Sequence, residues 1–241
     1  MFRNLLSAFA NLLFPSSCLL CRSSLPGRPN ILFCGNCLAG MQFIRGPICS
    51  RCGRPFTADA QPEHLCSQCL SQPCHFDLAR AIVLYDGPVL ESIHQFKFRK
   101  KTVFAESLGR IGLGELPLNP AAFDLLIPVP LHIRRLRERG FNQALLLLWE
   151  WAGSEEARID FRSLVRTKWT KPQVGLNFRE RRRNIKGAFA VTVPSAVGGR
   201  KILLCDDVFT TGATANECAR VLKEAGAAEV SVLTLARAAS Q

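Results

Sequence analysis

Eight of the eleven cysteines fall in four Cys-x-x-Cys pairs near the start of the chain. Cys18 and Cys21, followed by Cys34 and Cys37, read C-x2-C-x12-C-x2-C. Cys49 and Cys52, followed by Cys66 and Cys69, read C-x2-C-x13-C-x2-C. A Cys-x-x-Cys knuckle aims two thiolates at one ion, and two knuckles complete a tetrahedron with no open position, so the expected role is structural zinc. Sequential pairing gives two zinc ribbons, although spacing leaves open a cross-braced arrangement of the first pair with the third. Cys74, His64 and His75 are spare ligands, and Gly35, Gly53 and Pro55 suit the knuckle turns. So short a segment needs the metal to fold. Thiols committed to metal imply a reducing compartment.

A second constraint comes from Lys201 to Thr214, KILLCDDVFTTGAT. Ile202, Leu203 and Leu204 read as a buried strand that runs into Asp206 and Asp207. Thr210, Thr211, Gly212, Ala213 and Thr214 form a small hydroxyl-rich loop. A helix follows, with Cys218, Val221, Leu222 and Ala225 at helical spacing and Gly226 to end it. Val230 to Leu235 is the next strand. The loop therefore sits at the carboxyl end of a strand, where open parallel sheets bind ligands. Backbone N–H groups at a helix start hold phosphate, and two carboxylates accept hydrogen bonds from a vicinal diol. No Gly-Lys-Ser/Thr follows, so this is not a P-loop. The stretch resembles the 5-phosphoribosyl-1-pyrophosphate (PRPP) motif of type I phosphoribosyltransferases. That resemblance implies that Asp206 and Asp207 hold the ribose diol and that Thr210 to Thr214 hold the 5′-phosphate.

The 241 residues allow one large domain, or a medium domain with a small one attached. The expected division is 1–75, an N-terminal helix with the double zinc ribbon, and 76–241. Met1 to Phe14 reads as a short amphipathic helix stopped by Pro15, packing on its own protein. The longest apolar runs, Ala144 to Leu148 and Ile202 to Cys205, are far too short to span a bilayer. The formal charge of +12 falls to about +8 with two zinc–tetrathiolate sites, still basic enough to favour an anionic partner.

Phe76 to Gly87 reads as the first strand of the main domain. Pro88 then opens a helix whose His94 is expected to be packed or half-exposed rather than catalytic. Lys97 to Lys101 reads as a basic turn. Asp124 to Val129 is another buried strand, followed by an arginine-rich loop over Pro130 to Gly140 suited to a pyrophosphate, and a helix over Phe141 to Trp151. Arg166 to Lys186 holds eight Lys/Arg against one acid, Glu180. It reads as a mobile basic loop, and its aromatic residues also suit single-stranded nucleic acid.

The cysteine pairs, IPVPLHIRRLRERGFNQA, RTKWTKPQVGLNFRERRRNIKGAF and LCDDVFTTGAT occur together in this order. That combination resembles the ComF family of competence proteins over nearly the whole chain. The resemblance implies an α/β fold of the type I phosphoribosyltransferase kind, a parallel sheet flanked by helices, with a small N-terminal zinc-ribbon region. It also implies a cytoplasmic location, and a link to natural transformation and to incoming single-stranded DNA, with other competence or DNA-processing proteins as further partners. Carried over by position, Leu131, His132 and Arg134 lie at the pyrophosphate loop. Arg166, Lys168 and Lys171 lie on a flexible loop that closes over it. Lys97, Arg99, Lys100 and Lys101, with Arg179, Arg181, Arg182 and Arg183, are the expected nucleic-acid contacts.

Two departures narrow the function. Thr210 stands where 6-oxopurine salvage enzymes carry an aspartate, which argues against purine salvage. The chain starts Met1-Phe2, without the N-terminal cysteine of a glutaminase, which argues against amidophosphoribosyl transfer. Two expectations remain. One is a transferase moving ribose 5-phosphate from PRPP, with Mg²⁺ on the pyrophosphate, to an undefined acceptor. The other is a non-catalytic DNA-handling protein that keeps PRPP as a ligand or carries a vestigial site.

Overall fold

The computed structural model describes residues 16–27, 29–56, 64–153, 158–170 and 178–239. The helix expected over Met1 to Phe14 and the candidate Lys171 lie outside them, as do the side chains of Phe178 and Arg179. In chain order the elements are α1 (Gly35–Ala39), α2 (Ser67–Ser71), β1 (Leu78–Leu84), α3 (Gly87–Phe98), α4 (Val103–Leu113), β2 (Leu125–Pro128), α5 (Ile133–Arg139), α6 (Gln143–Ala152), β3 (Leu164–Arg166), α7 (Phe178–Ile185), β4 (Phe189–Val191), α8 (Pro194–Val197), β5 (Lys201–Phe209), α9 (Ala213–Glu224) and β6 (Glu229–Arg237).

Four strands form one parallel sheet in the order β1-β6-β5-β2. Strand alternation divides its two faces. Ile202 and Leu204 of β5 join one core, with Cys218, Ala219 and Leu222 of α9. Leu203 and Cys205 join the other, with Ile93 and Phe96 of α3, Leu108 of α4 and Leu147 and Leu148 of α6. Helix α3 shows why the sequence pattern works: Asp86 accepts from the Gly87 N–H at 2.7 Å, and Val89, Ser92, Ile93 and Phe96 form its buried stripe. This is the expected α/β architecture, a parallel sheet flanked by helices with an N-terminal zinc-ribbon region.

The zinc-ribbon residues are built into this sheet. The Cys18 set packs on the α4 face, where Leu32 N–H donates to Ser107 Oγ at 3.1 Å and Phe33 meets Phe104. The Cys49 set belongs to the opposite core, beside Phe76 and Phe209. Between them the chain covers the outer edge of β1. Ile44 N–H donates to Ile82 O, Leu84 N–H to Gln42 O and Ala79 N–H to Arg51 O. An edge strand left open would offer its backbone groups to another chain. Gly53, at φ +67°, makes the close approach possible, because a Cβ there would stand 2.6 Å from Ala79 O.

Two segments depart from the sequence reading. The arginine-rich stretch after β2 is the helix α5 rather than a loop. His132 Nδ1 caps it by accepting the Arg134 N–H at 3.2 Å, and Gly140 at φ +90° ends it. The basic stretch from Arg166 is only partly irregular. Arg166 ends a strand paired with β4, and Phe178–Ile185 is helical.

Structural zinc supplies about 10–16 kcal/mol of folding free energy in zinc-finger peptides, as much as the whole stability of a typical domain. Purified protein should carry close to two Zn²⁺ per chain by elemental analysis. Because the Cys49 set is part of the sheet core, Cys52→Ser should lower the thermal midpoint of the whole chain. Unfolding confined to the N-terminal region in the near-ultraviolet circular dichroism would contradict this packing.

Candidate functional site

A cleft of about 460 Å³ opens at the carboxyl ends of the strands. Strand β5 carries Asp206 and Asp207 to its floor, one on each face. Asp207 lies on the α3 side, 3% exposed, ion-paired with Lys97. Asp206 lies on the α9 side, partly exposed, and its Oδ1 accepts the Asp207 N–H at 2.9 Å. Burial pushes the Asp206 carboxyl well above the usual range, and the neighbouring Asp207 charge pushes it further. Burial also raises Asp207, but the Lys97 ammonium outweighs it and holds Asp207 below the usual range. Lys97 is therefore the ion-pair partner of the pair, on the Asp207 side.

Beyond β5 the chain turns through Gly212, at φ +75°, into α9. A Cβ at Gly212 would lie 2.5 Å from Phe209 Cζ, so only glycine fits the turn. Thr210, Gly212, Ala213, Thr214 and Ala215 line the cleft. The N–H groups of the first helical turn have no partner further back in the helix, and the Ala213 N–H donates to Thr211 Oγ1 at 3.4 Å. Thr211 faces the other way: its carbonyl accepts from Gln68 Nε2 of the zinc ribbon at 3.2 Å.

The opposite wall is cationic. Arg135 and Arg139, one turn apart on α5, both line the cleft with Leu131 and His132. Arg135 stacks on Trp169 at 4.9 Å, and Trp169 meets the His132 ring at 5.3 Å. Arg139 is held by Gln143. Arg166 adds a further guanidinium, packed 5.5 Å from the Phe189 ring, and its Nε is buried without a hydrogen-bond partner. Arg181 closes the rim.

The two cysteine sets group sequentially, Cys18, Cys21, Cys34 and Cys37 in one and Cys49, Cys52, Cys66 and Cys69 in the other. Within each set all sulfurs lie within 4.8 Å of one another, which closes the cross-braced alternative. Cys49 Sγ accepts the N–H groups of Cys52 at 3.5 Å and Cys66 at 3.3 Å. The thiols split by neighbourhood. The Cys37 N–H holds Cys34 down at about 6, while burial drives Cys37 up to about 12. Four thiols this close ionise together only around a dication, so the donor sets fit zinc. His64 stacks on Phe56 at 3.9 Å, and the spare Cys74 lies 4.0 Å from Cys69.

Residues 9–70 match the double zinc ribbon domain family. Over 229 residues the chain is 35% identical to the DNA utilization protein YhgH of Escherichia coli O6:H1, covering 92% of this chain and 97% of that one. It is 33% identical to competence protein F of Haemophilus influenzae, covering 93% and 98%. The chain belongs to the ComF family. Competence protein ComFC of Bacillus subtilis is 29% identical over 87% of this chain and 86% of its own. A solved structure described as the allosteric regulatory enzyme of purine biosynthesis aligns with a TM-score of 0.34 at 17% identity, covering 53% of this chain and 24% of that one.

Within this ComF protein the cleft gathers Asp206, Asp207, Leu131, His132, Arg166 and most of the Thr210 to Thr214 loop. Arg134 is exposed and does not line it, and neither does Lys168, which is exposed beside Gly187. Of the residues singled out for nucleic acid, Lys97 and Arg181 lie in the cleft. Arg99, Lys100, Arg182 and Arg183 are exposed and Lys101 partly so. The sequence reading missed Arg135 and Arg139 as cleft cations. A helix start at His132 and a stop at Gly140, with arginines four apart, was the available signal. His94 is exposed on the cleft wall, edge-on to Phe98 at 5.5 Å. Among the described residues no helix is long and apolar enough to cross a membrane.

Removing the Lys97 charge leaves the buried Asp207 carboxylate without its ion-pair partner, which typically costs about 3–5 kcal/mol. In Lys97→Met the folded-state pKa of Asp207 should rise above its unfolded value. Stability is then lost as pH rises, so the deficit against wild type should be largest near pH 8 and shrink toward pH 5. Urea unfolding at both pH values measures it; a pH-independent deficit would rule out Lys97 as the counterion.

Proposed function

We propose that this ComF-family protein binds PRPP in the cleft and transfers its ribose 5-phosphate to an acceptor, in the service of DNA uptake. One observation carries the reading: a carboxylate pair, a helix N-terminus and a set of guanidinium groups line a single cleft. Each suits one part of PRPP. The first turn of α9 takes the 5′-phosphate, Asp206 and Asp207 accept from the ribose diol, and Arg135 and Arg139 with the Leu131–His132 segment take the pyrophosphate. Those cations stabilise the charge that develops on the departing pyrophosphate, and the carboxylates hold the sugar as it becomes oxocarbenium-like. Trp169, in contact with Arg135 and His132, borders the pyrophosphate side. Mg²⁺ would accompany the pyrophosphate and neutralise part of its charge, with the Asp206 carboxylate as the partly exposed oxygen donor nearby.

The double variant Asp206→Asn with Asp207→Asn removes both charged acceptors at constant size. At roughly 1.5–3 kcal/mol for each charge-assisted hydrogen bond, PRPP affinity should fall about a hundredfold or more by calorimetry. Wild-type affinity in this variant would remove the assignment. Pyrophosphate release with candidate acceptors tests transfer itself, and binding without release points to the ligand-only alternative.

The DNA role rests on relatives that are named for DNA utilization and competence, and on the exposed cations. Arg99, Lys100 and Lys101 follow α3, and Arg182 and Arg183 stand on α7. They suit the phosphates of a single strand. Binding should weaken with salt at a log–log slope of about −0.7 per phosphate contacted. Replacing Arg99, Lys100, Arg182 and Arg183 with alanine should flatten that slope. Salt-independent binding would exclude a phosphate-tracking surface.

A further inference from the structure

A second cavity of about 310 Å³ lies behind the loop that closes the cleft, between the Cys49 zinc ribbon, α7 and α9. Its floor is apolar, with Phe76, Ile185 and Phe209. Its rim is cationic. Arg183 and Lys186 are both exposed there, and Arg182 reaches Gln72 across it. Arg220 also lines the cavity, but it is held by Glu217 and Glu224 at 2.6 Å and is committed to structure.

Two observations give the cavity a function. First, Phe209, Gly212 and Ala213 line both this cavity and the cleft, so one turn of backbone is the wall between them. Second, Arg237 lines the cavity at only 3% exposure, and its Nε is buried without a hydrogen-bond partner. The other two nitrogens of this guanidinium are held by Cys52; a buried donor without an acceptor is costly, and a bound group that accepts from Nε recovers that cost.

We infer that this cavity is a second binding site, for a nucleoside 5′-phosphate, and that its occupancy changes the affinity of the cleft for PRPP. The volume is that of a small-ligand site. The apolar floor suits a flat heteroaromatic ring. The rim cations suit the phosphate. Coupling follows from fit. Gly212 packs so closely on Phe209 that a ligand displacing that ring moves the turn that starts α9. The regulatory half of this inference rests on the PRPP reading of the cleft; the binding half does not. Two sources supply the same chemistry, a free nucleotide and the terminal nucleotide of a single strand.

The test uses the full-length, zinc-loaded protein and 2′-deoxyadenosine 5′-monophosphate, which lacks the vicinal diol that Asp206 and Asp207 would hold. Calorimetry should show it binding alongside saturating PRPP, and still binding to the Asp206→Asn, Asp207→Asn variant. Lys186→Glu should weaken it at least tenfold and leave PRPP affinity in the absence of nucleotide unchanged. Arg183→Ala should weaken it in the same direction. In wild type the nucleotide should shift the PRPP dissociation constant at least about fivefold, with PRPP shifting the nucleotide equally. A 5′-phosphorylated oligothymidylate that displaces the monophosphate, where the same oligomer with a 5′-hydroxyl does not, identifies the strand end as the occupant; failure of both to displace it identifies the free nucleotide. Failure of the monophosphate to bind, displacement by PRPP from one shared site, or unchanged binding in Lys186→Glu overturns the site. An unmoved PRPP constant overturns the coupling. If PRPP does not bind wild type at all, the transferase reading falls, and the second site is still judged by the monophosphate and Lys186→Glu.

Discussion

One buried guanidinium ties the zinc ribbon to the strand ends. Arg237, the last residue of β6, donates to Cys52 O at 2.7 Å and approaches Cys52 Sγ at 3.6 Å. It also lies 4.6 Å from the Phe209 ring. An arginine this deeply buried persists only with compensating charge. Burial lowers its pKa, and the Cys52 sulfur offsets that shift. A zinc–tetrathiolate centre carries net negative charge, so the metal site is the natural counterion of Arg237. Phe209 in turn fixes Gly212, and Gln68 fixes the Thr211 carbonyl. The Cys49 cysteine set, the edge of the core and the Thr210 to Thr214 loop thus form one continuous set of contacts.

This continuity changes how the zinc ribbon is understood. A ribbon that only decorates the chain would leave β1 as an open edge. Here Gln42, Ile44 and Arg51 take up the outer backbone groups of that strand. The metal serves a segment too short to bury a core of its own, and the segment then covers both faces of a sheet that is only four strands wide.

What the sequence revealed follows from how local each feature is. The cysteine sets were legible because a tetrahedral ion imposes its spacing on the chain within a few residues. The β5–α9 turn was legible for the same reason: strand, acids, glycine turn and helix are consecutive. Arg135 and Arg139 were not, because a seven-residue helix rich in arginine has the composition of a loop. Lys97 was read with the solvent-facing cluster that follows it. Its partner Asp207 lies 110 positions away, and only the packing of α3 on the sheet brings them together. The spacing of the cysteines likewise gave no sign that their segment would pair with β1.

The charge pattern of the cleft has a consequence for what it selects. Four guanidinium groups, on Arg135, Arg139, Arg166 and Arg181, line a cleft in which Asp207 is already ion-paired with Lys97. An anion with two separated phosphate centres serves both the arginine wall and the helix terminus. The Lys97–Asp207 ion pair adds discrimination, because a diol must compete with an ammonium for Asp207. A ligand without enough anionic charge to draw Lys97 toward itself would have to break a buried ion pair uncompensated. Under the PRPP reading proposed for the cleft, the resting ion pair would favour ligands that carry the polyanion and the diol together.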